Sequence, residues 1–460
     1  MELGGSPDQF WQRTGIEVTR KMEAFRSFPF EAVGELATAM IRQVYESTQL
    51  APVSHPDIGV IPDDGEGFEG LAEVFRSIVT ASAGLAAPSM MGHMDTAPHP
   101  AAAFTDALVS ALNNNLLFRE LSPFASRVEE RLVGDIGTRL GLSARWTGTF
   151  ASGGSIANLT ALFAAVGGFA GVDSRSQCDL YLPECAHVSL RKSAAVLGIP
   201  AERLHVIAGD ALGRSDMSAL RAALSASKAG RKVVVGVLGS TVHGAVENIE
   251  ALVEASTTHD AWLHIDAIHA GALAFSNRYR RLLNGLDGAD SVAIGPQKWM
   301  YVPRVSAIVW VKGQDRFDRA LGVDLPYSAT GEPHRGRWGL QGSRRADAIT
   351  LWAVLRYVGA RALGNAVDGA VDLAREFWEM LSIDSVLEPT HVPDLNLLCF
   401  RYRQRDNDAL QRAHRALGVG NVPWVSLSRW RDHVLFRSVL LSPSTNEKHL
   451  RGLIETLHHV

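Results

Sequence analysis

Apolar residues recur at helical spacing in the first part of the chain. Phe25, Phe28, Phe30, Val33, Leu36 and Met40 mark one face of a segment spanning residues 8–50. A Pro/Gly/Asp-rich stretch over 51–67 then breaks the period, so a helical arm followed by a loop is expected. Helical patterns return over 70–83, 102–117 and 127–142. Beyond them the rhythm changes. Short, almost wholly apolar runs at 178–182, 204–207, 232–238, 262–265, 291–294 and 307–311 alternate with helical stretches. Continuous apolar strands separated by helices predict an α/β domain with a mostly parallel sheet covered on both faces, whose ligand lies at the carboxyl ends of the strands. A long helical pattern over 348–380 leads to a last region with strands at 395–402 and 433–441 and helices at 407–417 and 446–458, which reads as a small α+β domain. The expected division is an arm and linker at 1–87, a large α/β domain at 88–345 and a small domain at 346–460.

Composition narrows the function. At 460 residues the chain exceeds one compact core, so a cleft between domains has room to form. A formal charge of −4 offers no basic field for nucleic acid or an anionic membrane, which favours a small-molecule substrate. The apolar run 162–172 is rich in Ala and Gly and much shorter than the roughly 20 residues a bilayer demands. It reads as a buried helix end and turn. The first residues show neither a continuous apolar core nor a small-residue cleavage pattern, so no export signal is expected. Cys178, Cys185 and Cys399 form no CxxC pair and no even framework, which points to a reducing cytoplasm.

Four groups stand where strands end or helices begin. Ser152-Gly153-Gly154-Ser155 precedes a helical run, and free backbone N–H groups at a helix start suit a phosphate. Taken alone it is more commonly a Gly-rich turn with a Ser cap. His187 follows an apolar strand and a Pro-Glu-Cys turn; an imidazole there could stack on a planar ring and move a proton, or simply cap a helix. Asp266 closes the strand Trp262-Leu263-His264-Ile265-Asp266, where a carboxylate could keep a pyridine nitrogen protonated. A metal site built from His264, Asp266 and His269 is the rival, because strand alternation puts His264 and Asp266 on one face. Lys298, in Gly295-Pro296-Gln297-Lys298-Trp299-Met300, follows another apolar strand; desolvated there, its amine could attack a carbonyl. A lone lysine is more often a solvated charge, but its place in the ordered set of four groups favours the reactive role.

At these residues the chain resembles the group II pyridoxal-5′-phosphate (PLP) dependent amino-acid decarboxylases, the family of aromatic amino-acid, glutamate, tyrosine and aspartate decarboxylases. The resemblance runs from about residue 88 to 311, through Met91-Gly92-His93-Met94, Leu112-Asn113-Asn114-Asn115 and the four groups above, and returns at Ser343-Arg344-Arg345 and Leu351-Trp352. It implies a fold-type I α/β protein with a seven-stranded-type sheet, acting on an amino acid as a homodimer with its two active sites at the subunit interface. By the same resemblance Lys298 is the Schiff-base lysine, Asp266 the ring-nitrogen partner and His187 the ring-stacking histidine. Gly153, Gly154 and Ser155 correspond to the phosphate turn, Thr241 to the threonine near the cofactor's 3′-oxygen and Tyr327 to the loop tyrosine that returns a proton.

Three positions depart from the pattern. Gln297 stands where the family usually has His, Gly295 where it usually has Asn or Asp, and Ile268 where a small Ala usually underlies the ring. The leading expectation is therefore decarboxylation of an L-amino acid to its amine, with PLP as cofactor and no metal. Altered chemistry on the same fold, such as decarboxylation-coupled oxidative deamination, an aldol-type cleavage or a condensation, is the alternative those departures motivate. Arg344, Arg345, Arg304, His93 and Arg437 could each read a substrate carboxylate or side chain, or serve as a structural ion-pair partner.

Overall fold

The computed structural model describes residues 28–48, 61, 63–323, 334–417 and 423–460. The chain separates into two compact units, Met1–Gly84 and Leu85–Val460. In the first, helix Phe30–Glu46 packs on helix Gly67–Thr80, each with a strongly one-sided apolar face. The remainder of the expected arm lies outside the described residues.

The second unit is built on a seven-stranded sheet in the order β1-β7-β6-β5-β4-β2-β3. Its strands are β1 (Trp146–Ala151), β2 (Cys178–Pro183), β3 (Leu204–Ile207), β4 (Arg231–Val237), β5 (Trp262–Ala267), β6 (Ser291–Ile294) and β7 (Ala307–Lys312). The pairings β2–β3, β2–β4, β4–β5 and β5–β6 are parallel. β7 runs antiparallel to both β6 and β1. All but β7 therefore point the same way, as expected of a mostly parallel sheet. The six apolar runs are all strands, and apart from the edge strand β3, where Val206 is exposed, their side chains are mostly buried because both faces are covered.

β1 falls outside the expected strands: Trp146-Thr147-Gly148-Thr149-Phe150 lacks a continuous apolar run. Gly148 has a physical reason, since a Cβ there would lie 2.6 Å from the Trp310 ring on β7. The helix expected over 102–117 occupies Pro100–Leu112, and Asn113 ends it in the left-handed conformation at φ 48°. The helix expected from residue 127 begins earlier, at Pro123, with proline in its first turn.

Helix Asp347–Ile383 breaks at Gly359, where φ is 79° and ψ 157°. It leads to a second, four-stranded antiparallel sheet in the order β10-β11-β9-β8. These strands are β8 (Leu387–Pro389), β9 (Leu397–Tyr402), β10 (Ser426–Trp430) and β11 (His433–Val439). β8 and β10 carry no usable pattern, being respectively three residues long and half polar. Helices Asn407–Leu417 and Glu447–His459 share a core with this sheet around Phe377, Phe400 and Phe436.

Candidate active site

The carboxyl ends of β1, β2, β4, β5 and β6 and the start of β7 lie on one side of the sheet, and a cavity of about 310 Å³ opens there. A chain leaving a parallel strand turns outward at that end, so each following segment contributes to one concave wall. Gly154, Ser155, His187, Thr241, Asp266, Ile268, Gln297 and Lys298 all line it. Gly153 shapes the turn behind them at φ +87°. Tyr327 lies outside the described residues.

Helix Gly154–Ala165 starts in the cavity wall with no side chain capping it. Its first backbone N–H groups have no partner within the helix, and the helix dipole adds positive potential there. Glycine at 154 fits closely here: a Cβ would sit 3.0 Å from Ile268 Cγ2, so that side chain would have to shift. Ile268 also excludes a side chain at Gly295, whose Cβ would lie 2.9 Å from the same methyl and 2.7 Å from the Ile268 carbonyl oxygen. Positions 268 and 295 are thus packed directly on each other, the Ile268 backbone as well as its side chain leaving no room for a Cβ at 295. The third departure, Gln297, accepts the Ser306 N–H on Oε1 at 2.7 Å, which leaves its Nε2 hydrogens for the cavity.

Asp266 is buried and held from two directions. Asn158 Nδ2 donates to Oδ2 at 2.8 Å and the Ile268 N–H donates to Oδ1 at 3.1 Å. Lys298 follows β6 on the short helix Pro296–Trp299, one strand away. Burial brings its ammonium down to about 8, partly offset by the Asp266 carboxylate and reinforced by Arg437. Its one hydrogen-bond partner among the described residues is the thioether of Met94, with Sδ 3.3 Å away.

His187 both caps a helix and faces the cavity. Its Nδ1 caps helix Val188–Val196 by accepting the Ser189 N–H at 3.2 Å, and its ring lines the cavity. Because Nδ1 accepts, the proton of the neutral ring sits on Nε2, and burial favours that neutral form. The rival metal site is not assembled: among the described residues no group of three His, Cys, Asp or Glu side chains could hold an ion. His264 is fully buried between Ser291 Oγ at 3.0 Å and Asn158 Oδ1 at 3.2 Å.

The candidate readers of substrate divide. Arg344 is buried in an ion pair with Glu129, and Arg345 pairs with Asp106 away from the cavity. Arg304 and His93 do line the cavity, with Arg304 paired to Asp95. Arg437 also lines it, is 5% exposed and has no carboxylate partner among the described residues. The one hydrogen bond its guanidinium makes among the described residues is long, Nη1 to Ser426 Oγ at 3.4 Å. A buried guanidinium without an anion is costly unless a ligand supplies one. Sequence reasoning misses Asn158, Met94 and Asp95. Asn158 carries a signal, a polar residue one turn into an otherwise apolar helix, but polar helix residues are common.

These residues fit a planar phosphorylated pyridine aldehyde. A helix start with free N–H groups suits the phosphate, a fixed carboxylate suits a protonated ring nitrogen, and a lysine of lowered basicity suits the aldehyde.

Comparison with known proteins bears on the same chemistry. The family model described as "Pyridoxal-dependent decarboxylase conserved domain" matches residues 59–403. The L-2,4-diaminobutyrate decarboxylase of Rhizobium meliloti (strain 1021) is 29% identical over 94% of this chain and 91% of its own length. The aromatic-L-amino-acid decarboxylase of Sus scrofa is 26% identical over 89% of this chain and 90% of its own. Among solved structures, Oryza sativa TDC with PLP and tryptamine superposes with a TM-score of 0.85 at 20% identity, covering 94% of this chain and 96% of that one. That likeness speaks to the fold.

Proposed function

Because the chain belongs to the pyridoxal-dependent decarboxylase family, we propose that Lys298 is the residue that bears PLP covalently and that Asp266 is the partner of its ring nitrogen. The enzyme is a PLP-dependent amino-acid decarboxylase, a carboxy-lyase. The observation that carries the residue assignment is that Lys298 and Asp266, at the ends of adjacent strands, face one cavity with the unpaired start of helix Gly154–Ala165.

Bound there, PLP supplies an electron sink for the bond between Cα and the departing carboxylate. The protein prepares the rest. Burial, which brings the Lys298 ammonium down to about 8, leaves about a tenth of its amine neutral and nucleophilic at pH 7, far more than an unperturbed lysine offers. Asp266 keeps a proton on the ring nitrogen, and its two hydrogen-bond donors fix the carboxylate in place. The amides of Gly154 and Ser155, with the Nε2 of Gln297, would hold the phosphate. His187 would lie against the ring and offer its Nε2 proton, and Thr241 would stand near the cofactor's 3′-oxygen. Ile268, packed against Gly154 and Gly295, forms part of the cavity wall.

The substrate carboxylate is assigned to Arg437. The unpaired, buried guanidinium supports this reading, since an anionic ligand would supply the partner it lacks. His93 and the Asp95–Arg304 pair then stand nearest the side chain of the amino acid.

A homodimer is proposed on the character of helix Pro100–Leu112. Phe104, Leu108 and Leu112 recur every fourth residue and are 46%, 66% and 65% exposed, an apolar stripe suited to burial against a second copy. A cytoplasmic location is supported by three buried, unpaired cysteines. Among the described residues no helix is long and apolar enough to cross a membrane. Residues 88–345 are assigned to the cofactor domain and 346–460 to the small domain, each with its own sheet.

Sodium borohydride reduction followed by tryptic mass spectrometry tests the central assignment. The pyridoxyl group is expected on the peptide containing Lys298. A label on another lysine, or none, removes Lys298 from the role.

A further inference from the structure

His269 lines the same cavity as Lys298 and takes no part in the assignments above. Its surroundings fix which ring nitrogen carries the proton. Asn396 Nδ2 donates to the Leu440 carbonyl oxygen at 3.0 Å, and a carbonyl can only accept. The Asn396 amide is thereby oriented, and its Oδ1 faces His269 Nε2 at 2.8 Å. Nε2 must donate, so in the neutral ring Nδ1 holds a bare lone pair. That Nδ1 is buried and has no partner among the described residues. The ring stacks on Trp299 with centroids 5.1 Å apart and planes 17° from parallel, and turning it over would give up the Nε2 bond to Asn396.

Two residues that line one cavity thus carry a buried acceptor without a donor and an amine whose only partner among the described residues is a thioether. Buried polar groups left in this state are rare and call for an explanation. We propose that Nδ1 of His269 is the hydrogen-bond acceptor that receives the Lys298 amine whenever the lysine is released from the cofactor, which makes His269 a positioning residue for the cofactor lysine. The inference rests on Lys298 as the cofactor-bearing residue. Release occurs in every turnover, when the amine of the substrate takes the lysine's place, and a held amine is ready to return when product leaves. Burial, with Lys298 and Arg437 adding repulsion, keeps the imidazole neutral down to about pH 3. It therefore remains an acceptor throughout the working range and leaves the proton on the lysine.

Methylamine tests this on the holoenzyme without substrate turnover. It displaces Lys298 from the cofactor, and borohydride then records the partition as pyridoxyl-Lys298 peptide against free pyridoxyl-methylamine. His269→Phe keeps the stacking on Trp299 but deletes the acceptor, so the freed lysine is less stabilised. Half-displacement is expected to require roughly tenfold more methylamine, the scale of one hydrogen bond to a charged group. His269→Asn restores an oxygen near the Nδ1 position and should stay within about twofold of the wild type by the same reasoning. If the Phe variant does not fold, Asn396→Leu answers instead: the ring stays, its tautomer is freed, and displacement should again become harder. Wild-type partition in His269→Phe, an Asn variant shifted as far as Phe, or an unmoved Asn396→Leu overturns the role of His269. Failure of the underlying reading looks different, because the pyridoxyl group would then be missing from Lys298 even without methylamine.

Discussion

Asn158 joins Asp266 to His264, donating from Nδ2 to the carboxylate at 2.8 Å while its Oδ1 lies 3.2 Å from His264 Nε2. The direction of every bond follows from this. Oδ1 must accept, so His264 Nε2 carries a proton and Nδ1 accepts from Ser291 Oγ, which itself accepts from Trp262 Nε1 at 2.8 Å. A chain of donors runs from Trp262 to Asp266 and ends on the carboxylate. Asn158→Leu should therefore leave PLP bound but let Asp266 drift, lowering kcat by about 10- to 100-fold, as losing a supporting partner of a functional group commonly does. Asp266→Asn should cost more, at least about 100-fold in kcat with little change in substrate affinity, because the charge matters most as electrons enter the ring. PLP occupancy and kcat measured on one preparation check both.

The basicity of Lys298 sets a pH dependence. Only the neutral amine attacks an aldehyde, and burial places loss of its proton near pH 8. After the cofactor is stripped, covalent uptake of added PLP should accelerate as pH rises through about 8 and level off above it. The absorbance of the reconstituted enzyme reads the rate. A midpoint near pH 10.4, about the value of an unperturbed lysine, would mean that burial has no such effect.

Arg437→Gln keeps a polar group in the cavity but removes its unpaired charge. With the substrate carboxylate deprived of its cation, KM should rise by about 10- to 100-fold, the scale of a charge-assisted hydrogen bond. Affinity for a competitive carboxylate inhibitor should fall in parallel, while PLP content stays unchanged. Unaltered inhibitor binding would assign the carboxylate elsewhere.

Glu129 makes a separate prediction about stability. It is completely buried and bonded by Arg335 Nη2 at 2.7 Å and by Arg344 Nη1 at 3.1 Å. Burial opposes its ionisation, yet the Arg344 and Arg335 guanidiniums hold the carboxyl far below the usual range. A group with a depressed folded-state value stabilises the fold above its unfolded value of about 4.3 and loses that contribution as pH falls below it. Glu129→Gln should destabilise by about 3–5 kcal/mol at pH 7, because two buried guanidiniums lose their counter-charge. The same variant should show a flatter loss of Tm between about pH 5 and pH 3, as thermal melts across that range would record.

A charge placed on the stripe of helix Pro100–Leu112 tests the dimer. Leu108→Glu, at a position already 66% exposed, should leave the monomer fold intact and shift the sedimenting species to half the mass. Dimeric Leu108→Glu would put the interface on another surface.

The large sheet is readable because its inner strands are buried on both faces and so are written as unbroken apolar runs. β1 escapes notice because Gly148 yields its side-chain space to Trp310 and two threonines interrupt the pattern. Lys298, Asp266, His187 and the Gly154 turn can be singled out because each follows a strand, where a parallel sheet gathers its ligand contacts. The residues that orient them cannot. Asn158, Asn396 and Glu129 act through partners 20 or more residues away, and spacing along the chain carries no trace of such pairs. The unpaired state of Arg437 is likewise a property of the folded surroundings.

The reversal of β7 limits how this enzyme can diversify. Because β7 enters the sheet antiparallel beside β6, the connection between them needs no crossover helix and stays wholly at the ligand end. Residues 295–306 therefore form both a structural hairpin and the wall that carries Gln297, Lys298 and Arg304. Ser306, at the far side of that hairpin, is already fastened to Gln297. Insertions or deletions here would shift the lysine and the phosphate contact together, whereas single substitutions would not. Natural variants and laboratory libraries should accordingly preserve the length of this hairpin, with changes of residue confined to positions other than Gly295, Gln297 and Lys298.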